Sequence, residues 1–160
     1  MKTYIQRIRA FICLLALIPI LSMPIAHSAT FAPYVPKAIC RIEIDNAHYS
    51  TSMARFEKAK YVKVNARSIC NIVQSQVTLT VEIYKNGRLG PIFLRKFSTN
   101  PASRSSKGLI IKMNSAKLVC KNNTVTTYYG VAYSKAIISG GWQYAGRTKS
   151  PLNIPLKCGT

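Results

Sequence analysis

Val77-Thr-Leu-Thr-Val-Glu-Ile-Tyr84 is the stretch on which the reading of the fold turns. Val77, Leu79, Val81 and Ile83 alternate with Thr78, Thr80, Glu82 and Tyr84, the period of two that belongs to a strand with one buried face. The stretch runs into Asn86-Gly87, the pair preferred in a type I′ turn because both central positions take positive φ. The chain then returns through Ile92 to Phe97, which predicts a hairpin.

Working outward, the same alternation recurs. Cys40, Ile42 and Ile44 share one face and Arg41, Glu43 and Asp45 the other. Residues 61–70 read as a strand with Val62, Val64, Ala66 and Cys70 inward and Lys63, Asn65 and Arg67 outward, preceded by a short helical turn over 52–58. Beyond the hairpin, residues 98–108 form a polar loop, and Leu109, Ile111 and Met113 suggest a further strand. After a turn at 121–124, residues 125–135 carry Tyr128, Tyr129, Val131 and Tyr133, strong strand composition. Residues 136–149 read as a long glycine-rich connection. Leu152, Ile154, Leu156 and Cys158 form the inward face of a last strand, and Pro155, which cannot donate to a ladder, puts that strand at an edge. Seven or eight short strands of this kind predict an all-β fold, an antiparallel two-sheet sandwich of immunoglobulin-like architecture.

The chain opens with the pattern of an exported protein. Lys2, Arg7 and Arg9 precede an uncharged apolar run over 10–25, and Ala26-His27-Ser28 offers small residues at the positions a signal peptidase inspects. The run is too short, and too broken by Pro19 and Pro24, for the roughly 20 residues a membrane span needs. The expected organisation is a signal peptide over 1–28 with cleavage after Ser28 or Ala29, an extended tail over 29–37 and one domain over 38–160. Export and secretion follow.

Four cysteines remain after cleavage: Cys40, Cys70, Cys120 and Cys158. Their spacings of 30, 50 and 38 residues, without a Cys-x-x-Cys pair or an adjacent histidine, argue for disulfides and against zinc. Three pairings are open. Cys40–Cys70 with Cys120–Cys158 is preferred, because each would join the first and last strands of a sequence-local unit. No metal and no cofactor is called for.

The same cleavage leaves 20 Lys and Arg against Glu43, Asp45, Glu57 and Glu82, a net charge of +16. A single-sign field of that size attracts polyanions such as nucleic acid, teichoic acid, lipopolysaccharide, sulfated glycan or anionic lipid. Groups able to move protons are few. His48 is the single histidine after cleavage, which excludes a two-histidine ribonuclease site. No Gly-x-Ser-x-Gly elbow presents a serine, and Glu43, Asp45 and Glu82 lie on strand faces where they offset neighbouring bases. A hydrolase would have to depend on His48. The expectation is no enzyme.

Binding finds more candidates. Trp142 and Tyr144 are interleaved with Arg147 and Lys149, the mix of flat rings and cations that suits sugars, nucleotides or a lipid headgroup layer. Trp142 could equally fill the core. Lys58, Lys60, Lys63 and Arg67 form a candidate basic stripe on the strand over 61–70, and Arg95, Lys96, Arg104 and Lys107 surround the polar loop. The expected function is non-enzymatic association with an anionic polymer or membrane surface. The alternative is a bacteriocin-like or host-directed toxin whose Trp142 and Tyr144 enter a membrane.

Cys40, the Val62-x-Val64 strand closing at Cys70, the stretch over 77–84, Cys120 before Tyr128-Tyr129-Gly130-Val131-Ala132-Tyr133, and the terminal Pro155-Leu156-Lys157-Cys158 together form a pattern. It resembles a loose group of small secreted bacterial proteins of unknown function, mostly from Gram-positive organisms. The resemblance covers nearly all of the mature chain and implies a secreted β-sandwich. Its motifs are structural and carry no site residues.

Overall fold

The computed structural model describes residues 37–138 and 141–160; the side chains of residues 53, 54, 57 and 142–145 lie outside that description. The expected signal peptide and nearly all of the expected tail fall outside the described residues. The described elements are β1 (Cys40–Ile44), β2 (His48–Tyr49), α1 (Thr51–Glu57), β3 (Tyr61–Lys63), β4 (Ala66–Gly87), β5 (Gly90–Ser98), a 3-10 turn (Arg104–Ser106), β6 (Gly108–Met113), β7 (Lys117–Val119), β8 (Asn122–Ile138), β9 (Gly141–Lys149) and β10 (Ile154–Gly159). The fold is all-β apart from these short helical pieces. Among the described residues every strand pairing is antiparallel, in one seven-stranded and one three-stranded sheet.

The organiser is β4, and it departs from the expectation of two separate strands over 61–70 and 77–84. The chain breaks instead after Lys63, so that β3 joins β2 and β7 in the small sheet, and then runs unbroken for 22 residues. The first part of β4 is paired between β1 and β6, the second between β5 and β8. Register shifts between Ile69 and Gln74 and between Ser75 and Thr78, with Gln76 at φ +50°, mark the change of partners. Bulges bend a strand and let it pass from one packed layer to another. Buried Gln74 serves the bend: its Oε1 accepts from Ser68 Oγ at 2.9 Å, and its Nε2 donates to the Ser68 and Leu109 carbonyls at 3.0 and 3.1 Å. Such a group would be costly to bury unpaired.

Across the layers, β1 packs against β8 and β9. Gly130 is the point of closest approach. A Cβ there would lie 2.5 Å from Val64 Cγ1 and 2.9 Å from Ile44 Cδ1. The core is built from Val62, Val64, Val77, Leu79, Val81, Ile83 and Tyr128, all inaccessible to solvent.

Both disulfides pair in the preferred way. Cys40–Cys70 bridges directly opposed positions of β1 and β4, and Cys120–Cys158 ties the residue after β7 to β10. With loop separations of 30 and 38 residues, each removes enough unfolded-chain entropy for roughly 3.5 to 4 kcal/mol in the loop-closure account. Such bonds belong to an oxidising compartment.

Several local expectations are corrected. Ten strands are present among the described residues, and short β2 and β7 escaped notice because two or three residues show no periodicity. The hairpin turn is centred on Arg88 and Leu89, two residues beyond Asn86-Gly87. Gly90 at φ +126° supplies the left-handed position after it, while Asn86 and Gly87 pair with Pro91 and Gly90. The supposed turn residues 122–124 belong to β8, and the supposed connection is a second hairpin strand, β9, whose Gly146 at φ +89° sits at a bulge. Leu152 is exposed before β10 begins, rather than inward. Pro155 does lie on an edge strand, since β10 pairs only with β8 among the described strands.

Candidate functional site

Alternation along β4 puts Val77, Leu79, Val81 and Ile83 inward and turns Thr80, Glu82 and Tyr84 to the opposite face, where Thr80 is buried and Glu82 and Tyr84 are half-buried. Register then decides what stands beside them. Tyr84 lies between Phe93 of β5 and Tyr129 of β8. Glu82 lies between Lys96 and Val131, and Val131 is opposite Lys149 of β9. Thr80 lies between Ser98 and Tyr133, and Tyr133 is opposite Arg147. The outer face thus has an aromatic centre and cations on both edge strands.

The contacts bear this out. Tyr84 and Tyr129 stack with ring centroids 5.2 Å apart and planes 5° from parallel, and Phe93 meets Tyr84 edge-on at 5.6 Å. Lys149 Nζ sits 4.2 Å from the Tyr129 centroid, and Lys96 Nζ 5.7 Å from that of Tyr133, both within cation–π range. Glu82 is gripped by two phenols: Tyr84 Oη donates to its Oε2 and Tyr133 Oη to its Oε1, each at 2.8 Å. Burial, followed by donation to Glu82, pushes both phenols above the usual tyrosine range. Glu82 is also the last acidic residue of the chain, and thirteen Lys and Arg follow it.

The residues singled out from sequence are distributed over several places. Arg147 and Lys149 are exposed on β9 and belong to this face. Trp142 and Tyr144 pair through their backbones with Ile137 and Lys135, and their side chains lie outside the described residues. Lys58 follows α1 at φ +52°, Lys60 donates to Asn123 Oδ1 at 3.1 Å, and Lys63 stands opposite His48 and Lys117 in the small sheet. Arg67 belongs to the other sheet and is held at 2.7 Å by Glu43, which Arg41 also engages at 2.8 Å. The break after Lys63 divides the stripe. Arg104 and Lys107 line a cleft of about 620 Å³ with Gln76 and Ser103. His48 Nδ1 is 2.9 Å from the Asn46 carbonyl.

Tyr84, Tyr129, Tyr133, Phe93, Glu82 and Lys96 went unrecognised as a group. Their only signal in the sequence is shared parity within each strand, which says nothing of the neighbour until the register is known. Comparison with known proteins gives no match to a family model, a curated protein or a solved structure, so the face is judged by its own geometry.

Proposed function

We propose that the chain is exported through a cleavable segment over 1–28 and acts without catalysis, binding an anionic polymer on the outer face of β5, β4, β8 and β9. The supporting observation is the arrangement of that face. Lys96 on one edge and Arg147 and Lys149 on the other flank Phe93, Tyr84, Tyr129 and Tyr133, while the nearest carboxylate, Glu82, is already engaged by two phenols. Cations supply attraction for phosphate, sulfate or carboxylate groups, and the exposed parts of Phe93, Tyr84 and Tyr133 supply contact with sugar or base, while buried Tyr129 seats Lys149 above it.

Binding of this kind releases counterions and weakens with the logarithm of salt. The test is elution from immobilised heparin and from single-stranded DNA as ionic strength rises. The combined variant Lys96→Gln, Arg147→Gln, Lys149→Gln should elute at clearly lower salt with an unchanged melting temperature, and its salt slope should shrink by about 2 to 3. Elution of the parent chain that ignores ionic strength, or a variant eluting with the parent, refutes the reading.

A further inference from the structure

The β4–β5 hairpin ends in a tip of unusual composition. Residues 86–91 pair only with one another, since the ladder to β8 stops at Lys85. Turns ordinarily carry Gly, Asn, Asp, Ser or Pro. Here the turn centre is Arg88-Leu89, followed by Pro91, Ile92 and Phe93. Leu89 is exposed over its whole surface, Phe93 is 52% exposed and Ile92 45%. Gly87 takes part in the display. A Cβ at that position would lie 2.6 Å from Ile92 Cδ1, so glycine leaves Ile92 free to lie across the ladder where a side chain would displace its end.

We propose that this tip docks the protein on an anionic lipid surface, with Leu89, Ile92 and Phe93 entering the headgroup–acyl boundary and Arg88 meeting lipid phosphate. Charge complementarity selects this occupant. The tip is apolar with a cation at its apex, no acidic residue follows Glu82, and the formal net charge of +19 attracts anionic surfaces and repels cationic ones. Interfacial insertion combines these two attractions, apolar burial to a shallow depth and electrostatic pull toward anionic lipid. The tip shares only Phe93 with the polymer-binding face, the variants that test the two leave Phe93 in place, and this inference does not rest on that face.

The experiment is co-sedimentation of the disulfide-bonded protein with vesicles of phosphatidylcholine alone or mixed with phosphatidylglycerol, alongside heparin elution. The parent should partition onto the mixed vesicles in preference to the neutral ones. Leu89→Ser with Ile92→Ser should weaken that partition about tenfold or more, given the apolar area withdrawn, while its melting temperature and heparin elution stay with the parent. A parent that ignores mixed vesicles, or a double variant that binds them undiminished, as a protein-docking tip would, overturns the inference. A triple variant that elutes from heparin with the parent refutes the polymer-binding face alone, and a double variant that binds mixed vesicles undiminished refutes the lipid-docking tip alone.

Discussion

The two faces of β4 and β8 arise from one alternation and do opposite things. Inward, Leu79, Val81 and Ile83 are sealed from solvent, and Gly130 removes even a methyl group so that Val64 and Ile44 can close over it. Outward, the intervening residues make a half-open layer of phenols, one carboxylate and lysines whose contacts are stacking, hydrogen bonds and cation–π pairs. Inner residues are specified by volume. Outer ones are specified by charge and ring geometry, which leaves that face chemically adjustable without threatening the core.

Four substitutions test the contrast, the first two set against each other across the faces and the next two probing each face singly. Leu79→Ala opens a cavity among residues that cannot collapse onto it and should cost about 3 kcal/mol, read by denaturant unfolding. Lys149→Gln on the other face should cost under about 0.5 kcal/mol, the worth of an exposed cation–π contact; equal losses would break the distinction. Gly130→Ala should cost about 2 kcal/mol through overpacking against Val64 and Ile44, with the disulfides intact. Glu82→Gln should cost about 1 kcal/mol, because one phenol keeps a neutral acceptor while the other meets an amide N–H in place of a charged oxygen.

That last variant also sharpens the pH dependence. Tyr84 and Tyr133 keep their protons in the native state above the ordinary tyrosine range. Their contribution is therefore fully present below pH about 10, where unfolded tyrosine begins to ionise, and is lost as pH rises through the raised native values. Tyrosinate absorbance should show a late-titrating component in the parent that moves to lower pH in Glu82→Gln. Coincident titration curves would count against the grip of the phenols on Glu82.

Legibility followed the range of the interaction. The strand over 77–84, the existence of a hairpin after it, the short helix and the inward Val62 and Val64 depend on neighbours a few residues away, and the strand and the two valines are readable from alternation. The fusion of two expected strands into β4 was hidden because Asn71 to Gln76 breaks the period of two, which in the structure is a bulged bend rather than a loop. A string of Gly, Trp, Gln and Tyr likewise disguised β9, since Gly146 serves as a bulge within a ladder.

The cysteine count, the excess of bases and the alternation of side chains were determined by composition and order alone, and they sufficed for an all-β, disulfide-bonded, strongly cationic domain. Tertiary structure alone decided that Lys96, Tyr84, Tyr129 and Lys149 share a face and that Lys63 and Arg67 do not. The reason is physical: parity along a strand is local, whereas register and sheet membership are set by burying all the apolar faces at once, and a slip of one residue would have turned each of these side chains to the opposite side.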